Sequence, residues 1–254
     1  MSLQFHNQLS KKVDVFTPLV EGRVSLYTCG PTVYNYLHVG NWTGYIYWDT
    51  LVRVLRANDL LVDHVMNITD VGHLTGENEG DADSGEDKLQ KGARREGKTA
   101  WEVAALYTED FLTGMKRLNI MMPTHITKAT DYIQEQLQLV RVLKEKGFTY
   151  QINDGIYFDT AKFPTYADFA DLDLEAQRAG ARVVFNSEKR NHSDFALWKF
   201  TAVGEDRDME WETPTDLLDV KLEAVTMGFP GWHLECSTMA MTLLGETLDI
   251  HAGG

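Results

Sequence analysis

Two cysteines, Cys29 and Cys236, and the run His38-Val39-Gly40-Asn41 are the residues of this chain whose types and settings suit chemistry. Both cysteines fall at the edge of predicted regular structure, among glycines and polar residues. A thiolate is a soft metal ligand or a nucleophile, so the pair reads as a metal site, as a catalytic cysteine, or as two buried thiols without a further role. A Cys29–Cys236 disulfide is a fourth reading. Two thiolates alone do not fix zinc, which takes four ligands, or three and an open position. His233, three residues before Cys236, together with His251 and His38, are the further donors at hand. A histidine at a helix N-terminus can donate to a phosphate oxygen, and Gly40 lets a nucleotide base or ribose approach the backbone with no Cβ in the way. Taken singly, each pattern also fits a residue that only packs or faces solvent.

The elements that must position these groups follow from periodicity and punctuation. Val24 to Thr28 is an apolar strand, Gly30 and Pro31 break the chain, and Asn41 to Leu55 is a helix with Tyr45, Trp48, Val52 and Leu55 on one face. Strand, loop and helix mouth are thus adjacent, the arrangement by which α/β proteins offer backbone N–H groups to a phosphate. Leu61 to Asn67 is a second strand, and the residues after it, Thr69 and Asp70, are candidates for the same crevice. Gly72 to Lys98 is polar, with Glu77, Glu79, Asp81, Asp83, Glu86 and Asp87 crowded together. It fails as a calcium loop because Gly85 stands where an oxygen ligand belongs and no Glu closes it, so it is expected to be a solvated loop. Thr99 and Glu102 form a capping box for a helix whose apolar face is Trp101, Ala104, Ala105, Phe111, Leu112, Met115 and Leu118.

Beyond Pro123 a second helix presents Ile133, Leu137, Val140 and Leu143 before Gly147. The segments 148–152 and 156–159 then flank Asn153-Asp154-Gly155 as a hairpin. A helix and hairpin between βα units predict an excursion from the main sheet, placed at 121–200. The remainder divides into 1–120, the first half of an α/β domain, and 201–254, the start of its second half. Met239, Leu243 and Leu244 continue a helix, and Leu248 to Ile250 is a final strand.

Composition excludes several classes. In 254 residues, 43% hydrophobic and 11% aromatic content is enough for a sizeable core, and a net charge of −14 argues against a surface devoted to nucleic acid. No apolar run is long enough to span a bilayer, and the first ten residues lack the layout of a secretory signal, so the expected compartment is the cytoplasm. Two distant cysteines fit its reducing conditions.

Taken together, Leu26-Tyr27-Thr28-Cys29-Gly30-Pro31-Thr32-Val33-Tyr34 and His38-Val39-Gly40-Asn41 resemble the first signature of cysteinyl-tRNA synthetases, a class I aminoacyl-tRNA synthetase family. Asn67-Ile68-Thr69-Asp70, the segment 83–88, Arg95 to Thr99, Phe195 to Lys199, Gly231 to Ser237 and Asp249 to Gly254 are similar to further segments of that family, in its order. The resemblance implies a Rossmann-type (HUP-like) parallel sheet with helices on both faces, interrupted by a small α+β connective insertion. It implies activation of cysteine by ATP with Mg2+ to cysteinyl-adenylate, then transfer to tRNA(Cys), and no membrane partner. Zinc would hold the substrate thiol, with Cys29 and Cys236 as two of its ligands. By the same resemblance Gly30, Thr32, Thr69, Trp232 and His251 bind the amino acid, and His38, Gly40 and Asn41 face the ATP phosphates, His38 and Asn41 as the catalytic pair.

Two departures bear on this. Asn41 stands where the family's signature has a second histidine. The family also continues past the final glycines to a His and a Glu of the zinc site, a lysine-bearing loop and tRNA-gripping helical domains. The chain is therefore expected to be an amino-terminal piece with weak or no zinc and tRNA binding and negligible aminoacylation. Competing readings are a cysteine ligase of mycothiol synthesis, which would not depend on tRNA, and a non-catalytic truncated paralogue that serves as a binding module.

Overall fold

The computed structural model describes residues 2–72, 74–75, 86–168, 186–220 and 227–253; the acidic residues Glu77, Glu79, Asp81 and Asp83 lie outside them. In chain order the first elements are β1 (Gln4–Asn7), β2 (Lys12–Val15), β3 (Arg23–Thr28), α1 (Val39–Ala57), β4 (Leu61–Ile68), β5 (Leu74–Thr75), β6 (Glu86–Asp87), α2 (Lys88–Glu96) and α3 (Ala100–Arg117). There follow β7 (His125–Lys128), α4 (Ile133–Glu145), β8 (Thr149–Ile152), β9 (Gly155–Phe158), β10 (Phe195–Phe200), β11 (Trp211–Glu212), β12 (Met227–Pro230), α5 (Trp232–Leu244) and β13 (Ile250–Ala252).

Four strands form a parallel sheet in the order β13-β3-β4-β7, and five form an antiparallel sheet in the order β11-β12-β10-β9-β8. Helices cover both faces of the parallel sheet, because alternate residues of a strand point to opposite sides. Val24 and Leu26 of β3 and Val62 of β4 share one cluster with Val52 and Leu55 of α1. Tyr27 and Val65, of the other parity, pack with Met239 and Ala240 of α5. The α/β class expected from the sequence is therefore the observed one. Sheet membership runs past both ends of the 121–200 span: β7 pairs in parallel with β4, while β11 and β12 extend the antiparallel sheet to Pro230.

Where caps and periodicity coincide, the predicted elements form. Thr99 and Glu102 make the reciprocal capping box of α3, whose buried face is Val103, Ala104, Tyr107, Phe111 and Met115; Trp101, Ala105 and Leu118 lie outside it. Residues 88–96 correct the expectation of a loop across 72–98, for they form α2. Its burial is confined to Leu89, Gly92 and Ala93, too few apolar side chains to stand out in a run rich in Lys and Arg. Its caps are clear, however: Asp87 accepts from the Leu89 and Gln90 N–H groups at 2.8 and 3.0 Å, and Gly97 closes it at φ 63°. Among the described residues no helix is long and apolar enough to cross a membrane.

Candidate active site

The sheet order places β4 and β7 on one side of β3 and β13 on the other, so the winding of the chain reverses between β3 and β13. An open parallel sheet binds its ligand outside the carboxyl ends of the strands at such a switch point. Here the Cys29 N–H donates to the Ala252 carbonyl at 3.1 Å across the mouth of that crevice.

Cys29 leaves the end of β3 and Cys236 comes from the second turn of α5. The two half-buried, free thiols stand 3.8 Å apart, Sγ to Sγ. The hydrogen bond between them holds Cys29 below the ordinary thiol range, and the same bond, with burial, pushes Cys236 up. Beside them lies Asn67, fully buried at the end of β4. Its Oδ1 accepts from the Tyr27 hydroxyl at 2.9 Å and the Gly30 N–H at 2.8 Å, and its Nδ2 donates to Thr69 Oγ1 at 3.0 Å. The Thr69 hydroxyl in turn faces Glu235 Oε2 at 3.5 Å. Thr69 is also tied to the loop after β3, since its N–H donates to the Pro31 carbonyl at 2.9 Å and its own carbonyl accepts from the Val33 N–H at 3.1 Å. Gly30, Thr32 and Thr69 thus occupy two adjoining backbone segments next to the thiols.

The remaining expected residues sit as follows. The His251 ring lies 5.1 Å from that of Tyr27, centroid to centroid. Trp232 opens α5, with the His233 ring 5.1 Å away, and His233 also packs on Phe195 at 4.6 Å. His38 caps α1. Among the described residues no third histidine, cysteine or carboxylate joins the thiols in a metal-sized group, so neither His233, His251 nor His38 completes a site there. The Asp70 carboxylate is engaged by Thr130, accepting from its N–H at 3.0 Å and its hydroxyl at 2.7 Å, and burial raises its pKa.

At the mouth of α1, His38 Nδ1 accepts from the Gly40 N–H at 3.0 Å, and Asn41 Oδ1 accepts from the His38 N–H at 3.2 Å. In the neutral ring the proton therefore resides on Nε2, which is left to donate. The Asn41 amide likewise keeps Nδ2 as its donor. Asparagine at this position thus completes the helix cap as well as supplying a donor.

Asn67, Glu235 and Tyr27 are the site residues that sequence reasoning missed. Each lies inside a strand or helix run where a polar side chain looks like ordinary alternation. The available signal was an Asn and a Glu at positions that periodicity assigns to a buried face.

On the opposite face of β3 the Thr28 hydroxyl and His64 Nε2 are 2.8 Å apart, and His64 Nδ1 has no hydrogen-bond partner among the described residues. Burial, the first cause, lowers the pKa of His64 to about 4. The unfolded ring titrates near 6.5, so between these values the unfolded chain binds more protons than the folded one. Stability from this group is complete above about pH 6.5 and is lost as the pH falls through 4, by about 3 kcal/mol in all. Urea midpoints measured from pH 7 to 4 are expected to fall more steeply for the native chain than for His64→Gln; parallel curves would assign the acid sensitivity elsewhere.

A parallel sheet with this switch point, a capped helix mouth after its first strand and an additional antiparallel sheet make up a Rossmann-type α/β fold. The family model for the tRNA synthetases class I (C) catalytic domain matches residues 15–254, and the chain belongs to that family. Its relatives carry the cysteine member of the class by name. The chain is 44% identical over 254 residues to the cysteine–tRNA ligase of Treponema denticola, covering 100% of this chain and 49% of that protein. It is 45% identical over 254 residues to cysteine–tRNA ligase 1 of Burkholderia lata, covering 100% of this chain and 51% of the relative. The chain spans about half the length of the curated relatives it matches. Among solved structures, Mycobacterium tuberculosis methionyl-tRNA synthetase in complex with methionyl-adenylate superposes with a TM-score of 0.61 at 13% identity, over 91% of this chain and 51% of that one. At that identity the likeness concerns the fold alone.

Proposed function

We propose that the crevice binds cysteine and ATP and forms cysteinyl-adenylate, and that the whole protein carries the cysteinyl group to tRNA(Cys). The thiol pair carries this reading. With Zn–S bonds of about 2.3 Å and tetrahedral angles, two sulfurs on one zinc ion are about 3.8 Å apart. Cys29 and Cys236 stand at 3.8 Å before any metal is considered, so their spacing and their softness both fit zinc. Zinc bound there would take the substrate thiol as a further ligand, a choice that serine's hydroxyl, a poor partner for this borderline-soft ion, cannot match.

The chain's own residues supply the rest. Gly30, Thr32 and Thr69 border the bound amino acid, Trp232 and His251 flank it, and the Thr69 hydroxyl offers a fixed polar contact. His38 through Nε2–H, Gly40 through its open backbone and Asn41 through Nδ2 face the triphosphate, which arrives with Mg2+. The cysteine carboxylate, already ionised, attacks the α-phosphorus in line, and pyrophosphate leaves with the bonding electrons. Positioning and charge stabilisation therefore matter more than a general base.

The test is binding of 5′-O-(N-cysteinylsulfamoyl)adenosine and its seryl counterpart to the whole protein, measured by calorimetry with one equivalent of zinc. The cysteinyl compound is expected to bind at least about 100-fold more tightly, and Cys29→Ser or Cys236→Ser to remove the difference. Equal affinity for the two compounds, or discrimination that survives in Cys236→Ser, would overturn the proposal.

A further inference from the structure

We infer that Asn67 is the positioning residue of this site: its one carboxamide sets both the approach of the two thiols and the orientation of the Thr69 hydroxyl. The inference rests on the proposed reading of the crevice as a cysteine site, but its geometry stands independently. Asn67 is fully buried, and its side-chain hydrogen bonds go to residues of the crevice or to their neighbours. Oδ1 accepts from a phenol and a backbone N–H. With Oδ1 assigned in this way, Nδ2 must donate, and its partner Thr69 Oγ1 is left with its own proton to give to Glu235. A threonine hydroxyl would otherwise rotate freely; here one lone pair is taken and the proton is committed, so the remaining lone pair has a fixed direction.

The same amide links the two cysteines. Through the Gly30 N–H it holds the residue after Cys29, and Cys236 Sγ lies 3.9 Å from its Oδ1. Cys29 and Cys236 come from elements far apart in sequence, so their 3.8 Å separation needs a common reference, and the Asn67 side chain touches both arms. Residues that orient metal ligands in this way change metal affinity by about 10–100-fold when replaced. Asn67→Asp isolates the role. A carboxylate can still accept from Tyr27 and Gly30, but it cannot donate to Thr69, and it brings a negative charge up to the thiols.

The variant is assayed with two probes, together with a thermal melt. Phenylarsine oxide closes a ring over two adjacent thiols, forming two As–S bonds as its oxygen leaves with both thiol protons as water. Cobalt(II) reports thiolate ligation through a charge-transfer band. Asn67→Asp is expected to melt as a folded chain yet bind the arsenical at least about 10-fold more weakly, with Cys29→Ser as the reference that closes no ring. A folded Asn67→Asp chain with native arsenical affinity overturns the inference. Should that variant fail to fold, Tyr27→Phe decides: removing one of the two donors is expected to weaken arsenical binding at least about threefold, and no change overturns the inference. A whole protein that takes the arsenical but no cobalt overturns the zinc reading alone and leaves the role of Asn67 to be judged on the arsenical data.

Discussion

Alanine at Asp87 is expected to lower the free energy of unfolding by about 3–5 kcal/mol, a large share of the 5–15 kcal/mol that typically holds a domain together. The carboxylate has two tasks. Its Oδ1 caps α2 through the Leu89 and Gln90 N–H groups, and its Oδ2 pairs with the Arg207 guanidinium. The side chains are 4% and 2% exposed, which makes this a buried pair rather than a surface one. Arg207 also lies 3.7 Å over the Phe229 ring of β12, so the pair joins α2 to the antiparallel sheet. Removing Asp87 alone leaves the buried cation with only the part-exposed Glu205 carboxylate, 3.3 Å from its Nη1, and a bare Nη2, which costs more than the pair itself contributes. Urea unfolding of Asp87→Ala, Arg207→Met and the double variant gives the coupling, and the double variant is expected to recover more than 1 kcal/mol relative to additivity. A loss below about 1 kcal/mol in Asp87→Ala would show that solvent replaces the carboxylate and that the pair does not hold the two parts together.

At Gly30 the expected effect falls on both stability and binding. A Cβ built there would sit 1.6 Å from the carbonyl oxygen of Asn67, a backbone atom that has no rotamer to escape into. Gly30→Ala must therefore push apart the exit of β3 and the end of β4, at a cost of about 3 kcal/mol. Because Cys29 precedes it directly, the shift also moves one of the two thiols. A displacement of about 1 Å in a positioning group reduces activity roughly 100-fold, and a comparable loss of affinity for the cysteinyl sulfamoyl adenosine is expected. Native affinity and native urea midpoint in Gly30→Ala would mean that the loop yields at no cost, contrary to the packing described.

Sequence carried the local architecture well wherever two signals agreed. The strand that ends at Thr28, the helix with Tyr45 and Val52 on its buried face, the Thr99 capping box and the hairpin around Asn153 and Asp154 were all legible from spacing plus punctuation. Elements with one signal were not. α2 had caps but almost no apolar face, and β7 is four residues long with a single buried one. The β1–β2 hairpin turns through Gln8-Leu9-Ser10-Lys11, with Lys11 at φ 54°, a conformation that no glycine announced. In the candidate site, local patterns identified Cys29, His38 and Thr69 as candidates but had no means of placing Cys236 opposite Cys29. Periodicity reports which face a residue occupies, and proximity across two hundred residues is a property of the sheet order. Asn67 and Glu235 were invisible for the same reason, since a buried polar group is recognised by its partners.

The closure of β3 has a consequence in time. Its outer edge is covered by β13, and the join is fastened by Asp249, whose carboxylate accepts from the Ser25 N–H at 2.8 Å, the Ser25 hydroxyl at 2.7 Å and the Leu19 N–H at 2.6 Å. A ribosome adding about 5–20 residues per second spends roughly 10–45 s between these partners. Throughout that interval the central strand of the nascent chain has one edge unpaired, the state most open to pairing with a neighbouring polypeptide. The geometry that draws Cys29 and Cys236 to one point thus delays the crevice until β13 has emerged, and a ligand for it can stabilise the chain only from then on.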